Sequence, residues 1–511
     1  MLAKAHAAAV WGVDALPVEI EVNATWGETQ TIVVGLPDAA VRESKDRVRT
    51  ALENSGFRYP IGKLTINLAP ADVRKEGPSF DLPIAVGILA ASEQLDPNHL
   101  ADTWIVGELA LSGEVRSVKG VLPITLEAQR QRVRRIIVPY SNALEGGVVE
   151  GIEVYGVRTL LEAVALIKGE AIIKPTRVAV DSLLHDICDS AELDFADVKG
   201  QELAKRAIEV AVAGGHNLLM IGPPGSGKSM LAKRIPTIFP PMTLDEALEI
   251  TRIHSVVGLL PDRHAIIRHR PFRSPHHTVS DVGLIGGTAT PTPGEVSLAH
   301  HGVLFLDELP EFKRTTLEVL RQPLEDGQVT ISRAAGTMTF PAQFMLVAAM
   351  NPTPTGNFGD SALGKCSPAA VQRYLNKISG PLLDRIDIHI EVPAIKHELL
   401  LRNKPAEPSA AIRERVIKAR AIQQERFKGK RRIRCNAQMG TKEIRQYCAL
   451  TESQQELLRY ALNDLNLSAR AYDRILKVAR TIADLAGEPS IQDSHIEEAI
   501  QYRTLDRQIW R

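Results

Sequence analysis

Gly222-Pro223-Pro224-Gly225-Ser226-Gly227-Lys228-Ser229 is a G-x-x-x-x-G-K-S run, and its residue types at this spacing specify anion chemistry. The glycines let successive backbone N–H groups curl around a phosphate. The Lys228 ammonium then reaches the β- and γ-phosphates of a nucleotide, and the Ser229 hydroxyl ligates Mg²⁺. The flanks agree with this reading. Leu218-Leu219-Met220-Ile221 is an apolar strand, and Met230-Leu231-Ala232-Lys233-Arg234 continues as a helix whose positive dipole end points at the same anion. A glycine turn with no ligand would not need the Lys-Ser pair.

Two further segments supply what hydrolysis needs. Val303-Leu304-Phe305-Leu306-Asp307-Glu308 is a buried strand ending in two acids. At that position Asp307 helps hold Mg²⁺ and Glu308 polarises the attacking water. A second apolar strand, Phe344-Met345-Leu346-Val347-Ala348-Ala349-Met350, ends in Asn351, whose amide can position the same water. Asp and Asn at strand ends are ordinary turn residues when met singly. Their order after a phosphate loop is what makes them a set.

Positioning these groups takes a large scaffold. The chain has 511 residues and 44% hydrophobic content, enough for several domains. Lys+Arg and Asp+Glu both number 61, so a nucleic-acid partner would have to be met by a local patch or channel rather than by bulk charge. Cys188, Cys366, Cys435 and Cys448 have no C-x-x-C spacing and predict neither a disulfide framework nor a metal knuckle. The alanine-rich start is interrupted by Trp11, Asp14 and Glu19 before a signal-peptide core forms, and no apolar run is long enough to span a bilayer. A cytoplasmic protein without membrane contact is the expectation.

The expected fold class is α/β, in three parts. Residues 1–175 read as a mixed domain, with strands at Val18–Val22 and Thr31–Gly35 and a helix over Ala39–Asn54. Residues 176–194 read as a linker. In 195–392 strands and helices alternate around the phosphate loop, the pattern of a parallel sheet with crossover helices. Residues 393–511 read as helical, with Ile475, Val478, Ile482 and Leu485 on one face.

Together these residues resemble the AAA+ ATPases, specifically the magnesium-chelatase-like branch and its bacterial ComM/YifB family. Asp194-Phe195-Ala196-Asp197-Val198-Lys199-Gly200-Gln201 is similar to the segment bordering adenine in that family. Phe272–His277, Gly294–Gly302 and Ser379–Asp387 resemble the ComM/YifB pattern. The resemblance implies that Arg385 is an arginine finger reaching the γ-phosphate bound by a neighbouring subunit, a role suited to a guanidinium. A finger acting on a neighbour implies a ring, in this family a homo-hexamer. Ser468-Ala469-Arg470 resembles the sensor-2 motif, placing Arg470 on phosphate, with Arg474 one turn later as the competing choice. ATP and Mg²⁺ are the implied cofactors.

The segment holding Gly283, Gly286, Gly287, Pro291, Pro293 and Gly294 resembles the family's channel-facing insert. The turn signal Asp326-Gly327 predicts a hairpin over Leu324–Arg333, with Arg333 on its second arm facing either a phosphate backbone or solvent. His276-His277 and His300-His301 invite a metal, but adjacent side chains diverge and no Cys or acid at ligand spacing completes a set. Where family members carry paired cysteines this chain has Thr353 and Thr355, then Gly364 and Cys366, so a four-thiolate site is not expected.

Lys75-Glu76-Gly77-Pro78-Ser79-Phe80-Asp81-Leu82 resembles the nucleophile loop of the Lon protease domain, with Ser79 at the serine position. In gapless alignment Ile124 takes the place of the lysine that activates that serine, and Lys119 is out of register. A Lon-like α+β fold without peptidase activity is expected. Arg130, Arg132, Arg134 and Arg135, and Lys428, Lys430, Arg431, Arg432 and Arg434, are either DNA surfaces or solvated faces. The resemblance implies an ATP-driven motor on single-stranded or branched DNA, a helicase promoting branch migration during natural transformation. A chelatase-type protein remodeller and an ATP-dependent peptidase are the alternatives.

Overall fold

The computed structural model describes residues 1–72, 75–179, 193–261, 264–288, 291–333, 336–357, 366–394, 406–430, 433–465 and 468–505. Most of the 176–194 connection lies outside them, as do Cys188, Gly364, Arg431 and Arg432.

The amino-terminal part is built on a seven-stranded mixed sheet in the order β3-β4-β2-β1-β5-β8-β9. Its strands are β1 (Leu2–Trp11), β2 (Asp14–Thr25), β3 (Gln30–Val34), β4 (Lys63–Ala69), β5 (Thr103–Ile105), β8 (Arg135–Pro139) and β9 (Glu153–Val157); β6 (Glu108–Leu109) and β7 (Val115–Arg116) form a separate ribbon. The alanine-rich start is therefore an inner strand, paired over its whole length with β2. Small side chains are needed there because the helix Asp81–Ala91, buried at every residue, packs directly on it. At Gly87 in that helix a Cβ would fall 2.8 Å from Val22 Cγ2 and 3.9 Å from Ala5 Cβ, so the backbones can approach only with glycine there. The helix Ala39–Asn54 begins on Asp38, whose carboxylate accepts the Val41 N–H at 2.8 Å, and buries Val41, Ser44, Val48, Ala51 and Leu52 as one stripe.

The central part is a five-stranded, all-parallel sheet ordered β11-β12-β15-β10-β16, from Phe272–Arg273, Val303–Leu306, Met345–Met350, Leu218–Ile221 and Ile388–Glu391. β10, β12 and β15 are buried at every residue, as expected of strands covered on both faces. The carboxyl ends of β10, β12 and β15 meet on one edge, where an open parallel sheet binds its ligand. The antiparallel ribbon of β13 (Gln328–Arg333) and β14 (Gly336–Pro341) projects from this part.

The carboxy-terminal part is helical. Its helix Ala469–Ala486 buries Ile475, Val478 and Ile482, with Leu485 half-buried at the same face. It is pinned to the core by His216 Nε2 against Thr481 Oγ1 at 2.8 Å. Asp484 inside it is fully buried and accepts Arg426 at 2.5 Å, Arg480 at 3.0 Å and the Asn436 amide at 2.8 Å, so its charge is compensated. No helix among the described residues is long and apolar enough to cross a membrane.

The helix Leu244–Val257 ties the parts together. Its Ser255 hydroxyl donates at 2.5 Å to Glu145, a buried carboxylate of the amino-terminal part that also accepts the Leu122 N–H at 2.8 Å. Burial pushes the Glu145 carboxyl above the usual range, which those donors oppose. Arg252 pairs with Asp14, and the Trp11 ring covers Gly336 at the ribbon's end.

Candidate functional site

The phosphate loop sits between β10 and the helix Lys228–Arg234, as the sequence requires. Gly225 and Gly227 have φ of +75° and +91°, which a side chain would strain, and a Cβ at Gly225 would meet nothing within 4 Å. The loop thus presents an open concave face of backbone donors that a phosphate fits. Lys228 is 8% exposed, and its Nζ donates to Gly222 O at 2.7 Å, Pro223 O at 2.9 Å and Asn351 Oδ1 at 3.2 Å. Burial holds its pKa below the usual lysine range, with Asp307 opposing. A buried cation resting on neutral carbonyls is poised to take an anion. Gln201, at the end of the adenine-bordering segment, donates to the Ser226 carbonyl and so braces the loop.

The Ser229 hydroxyl donates to Asp307 Oδ2 at 2.6 Å, which brings the two expected Mg²⁺ ligands together across β10 and β12. Glu308 follows in left-handed conformation, φ +53°, with its carboxylate 61% exposed and 3.7 Å from His277 Nδ1. That backbone turns Asp307 and Glu308 in different directions, one toward Ser229 and one toward solvent where water is available. Asn351 lies at the tip of β15, touching Lys228. Lys228 with Asn351, 123 positions away, and its neighbour Ser229 with Asp307 form two hydrogen-bonded pairs side by side at the loop.

Arg385 is elsewhere, lining an open cavity of about 1240 Å³ between core and lid together with Glu325, Asp387 and Arg474. Its Nη2 meets Glu325 Oε1 at 2.5 Å and its Nη1 donates to Pro381 O at 2.6 Å. Arg470 is exposed and adds its positive charge to the field at Glu325. Arg474 is instead bound to the buried Asp387, a carboxylate kept below its ordinary range by that guanidinium and by His216 despite its burial. Of the two candidate sensor arginines, Arg474 has a structural partner and Arg470 faces outward.

Comparison with known proteins fits this geometry. The model for magnesium chelatase subunit ChlI matches residues 194–400, two further ChlI models match 20–142 and 406–503. Competence protein ComM of Haemophilus influenzae is 48% identical over 507 residues, covering 99% of this chain and 98% of that protein. YifB of Escherichia coli is 46% identical over 507 residues, with 98% and 97% covered. The chain belongs to the ComM/YifB family of magnesium-chelatase-like AAA+ ATPases. Lon protease 2 of Bacillus subtilis matches 29% of the chain at 26% identity.

In this ComM/YifB chain Ile124 and the lysines near the Lon-like serine position have other surroundings. Ile124 is 1% exposed within the helix Val121–Arg130, packed in the core. The Lys119 stem lies against Gly258 of the central part. Lys75, four residues before Ser79 and missed as a candidate from sequence, is fully buried and donates to the Pro70 carbonyl. Thr353 and Thr355, at the first cysteine positions of the family, are hydrogen-bonded to each other at 3.1 Å.

Two sequence expectations need correction. Asp326-Gly327 is not a hairpin turn: Arg321–Asp326 is a helix, and Gly327, φ +64°, is its left-handed cap. The ribbon begins after it, so Arg333 ends the first arm, opposite Gly336. An αL glycine serves both purposes, and the dipeptide alone does not distinguish them.

The second concerns His300-His301. Glu249, from the helix Leu244–Val257, does complete a three-residue group, at 3.2 Å from His300 Nε2 and 2.6 Å from His301 Nε2. The proton positions argue for a hydrogen-bonded clamp rather than a metal centre. The Gln343 N–H donates to His300 Nδ1 at 3.0 Å, so the proton of neutral His300 is on Nε2, where a metal would have to bind. Arg434 also lies 3.3 Å from His301 Nε2, adding a repelling positive charge.

Burial pushes His300 down from 6.5 to about 4, and the two histidines hold Glu249 below the carboxylate range. Between those values the unfolded chain takes a proton that folded His300 refuses, so stability is complete above about pH 6.5 and falls as pH drops toward 4. The loss is on the order of 3 kcal/mol. Denaturant titrations of wild type and His300→Gln across this range check it: the variant should show a shallower pH slope, and equal slopes would remove His300 as the cause.

Among the described residues, several members of the basic clusters have acidic partners. Arg130 pairs with Glu127 at 3.5 Å, Arg134 with Glu153 at 3.8 Å and Lys430 with Glu443 at 2.8 Å, while Arg434 reaches Glu246 at 3.5 Å. These are solvated or structural ion pairs.

Proposed function

We propose that this chain is an ATP-hydrolysing motor working as a homo-hexamer on single-stranded or branched DNA, a helicase driving branch migration in recombination. The observation that carries the reading is the separation of one catalytic set into two surfaces. Lys228, Ser229, Asp307 and Asn351 meet at the phosphate loop, whereas Arg385 lines a different cavity beside Glu325, whose carboxylate also feels the charge of Arg470. A site divided in this way is completed by a second copy. The name of the Haemophilus relative, a competence protein, supports a role in taking up or recombining DNA.

In the resulting mechanism the loop from Gly222 to Ser229 cradles the phosphates. Ser229 and Asp307 would hold Mg²⁺, which when bound neutralises phosphate oxygens. Asn351 orients a water in line with the γ-phosphorus, and Glu308 accepts its proton as the oxygen attacks. The bond to the β–γ bridging oxygen breaks, releasing ADP and phosphate. Lys228 and the neighbouring protomer's Arg385 and Arg470 balance charge on the transferring group. The Lon-like domain serves assembly or DNA contact, not peptide cleavage. The channel-facing insert is anchored at Gly286, which bridges to Pro293.

A labelled four-way or forked DNA junction tests the reading. Wild-type protein with ATP and Mg²⁺ should convert the junction to products, and ADP should not replace ATP. Protein that hydrolyses ATP but neither binds nor moves any junction would return the assignment to protein remodelling.

A further inference from the structure

The carboxylate that holds the finger has no part in the function proposed above. Glu325 Oε1 lies 2.5 Å from Arg385 Nη2, a charge-assisted contact, and Arg385 Nη1 is held at 2.6 Å by the Pro381 carbonyl. The finger side chain is 6% exposed and Glu325 57% exposed, so the guanidinium is withdrawn behind the acid. Hydrogen bonding from Arg385 keeps the Glu325 carboxyl below its usual range, and Arg470 contributes in the same direction. Of the two arginines that the family resemblance assigns to phosphate, Arg385 thus pairs directly with this carboxylate, and Arg470 adds only its charge.

Its location makes that carboxylate displaceable. Glu325 is next to last in the helix Arg321–Asp326, beside the cap at Gly327. A helix C-terminus disfavours negative charge, so the helix itself does not retain the acid there. Most of the residue is in solvent, and its partner in the folded chain is the arginine that an incoming phosphate would claim.

We propose that Glu325 is an internal substitute for the neighbour's γ-phosphate and restrains the protomer interface until a nucleoside triphosphate displaces it from the finger. The proposal rests on Arg385 acting across the interface. A γ-phosphate offers more negative charge and more oxygens than a carboxylate and displaces Glu325 from the finger. A diphosphate ends at the β-phosphate, already enclosed by the loop of its own protomer, and leaves the Glu325–Arg385 pair closed. Glu325 is a positioning residue: it touches neither substrate nor water and acts through Arg385.

The test compares ring formation by sedimentation velocity for wild type, Glu325→Gln and Glu325→Asp, with adenylyl imidodiphosphate or ADP, alongside ATP turnover of Arg385→Ala. Wild type should assemble at a protein concentration roughly tenfold lower with the triphosphate analogue than with ADP, a typical coupling between linked sites. In Glu325→Gln the triphosphate arm should improve by a further roughly threefold or more, because no ion pair has to open, while the ADP arm stays where it was and the melting temperature is unchanged. Glu325→Asp, one methylene too short, should move the same way. An unchanged ratio in both variants, with turnover lost in Arg385→Ala, overturns the role of Glu325 and leaves the finger intact. Normal turnover in Arg385→Ala removes the finger itself, and the proposal with it.

Discussion

Lys228→Ala should reduce ATP turnover by roughly 10²–10³-fold, and the variant should lose the thermal stabilisation that ATP gives the wild type. Without nucleotide, Lys228 is a buried cation whose donors rest on two loop carbonyls and the Asn351 amide oxygen. Burial disfavours its charge, so the residue is not there for stability. Its replacement should leave the melting temperature of the nucleotide-free protein unchanged or slightly raised. With ligand the comparison reverses. At a concentration of 100 times Kd, ATP stabilises a protein that binds it by about 2.7 kcal/mol, and Lys228→Ala should show almost none of this. Thermal melts with and without ATP-Mg²⁺, paired with a phosphate-release assay, give both readings. A variant that keeps the ATP-dependent shift and its turnover would place phosphate recognition elsewhere.

The parts of this site that could be read from sequence are those whose physics is local. The glycine spacing, the lysine and the apolar strand before them act within a dozen residues, and the structure places them as a strand, loop and helix. The acids after β12 and the amide after β15 were readable because parallel strands deliver their carboxyl ends to one edge. What escaped was set by long-range packing. Glu249 reaches His300 and His301 from 51 and 52 positions away, and no spacing rule connects a helix to the turn before another strand. Asp387 claims Arg474 from 87 positions away, which distinguishes it from Arg470, whereas one turn of helix separates two candidates that look alike in sequence. The ribbon was misread because a helix cap and a hairpin turn draw on the same residue. Ile124 was the reverse case: its apolar type at an expected lysine position already pointed to the buried environment it occupies.

Arg385→Ala should bind ATP with near wild-type affinity and lose 10³–10⁵-fold in turnover, the range associated with removing an arginine finger. The expectation differs from that for Lys228 because of where the side chain lies. Arg385 lines the cavity with Glu325 and Arg474, and its hydrogen bonds go to Glu325 and Pro381 rather than to any residue of its own phosphate loop. On the proposed ring, ground-state affinity would be set by one protomer and transition-state charge balance by the next, so the loss should fall on kcat rather than KM. The two variants should also complement each other. In an equimolar mixture of Lys228→Ala and Arg385→Ala, some interfaces join an intact loop to an intact finger, and these should recover a measurable fraction of wild-type turnover. Two variants damaged in the same self-contained site recover nothing on mixing. Activity in the mixture, absent from each protein alone, would make ATP hydrolysis a property of the interface between protomers; silence in the mixture, with both variants still assembling, would confine it to the single chain.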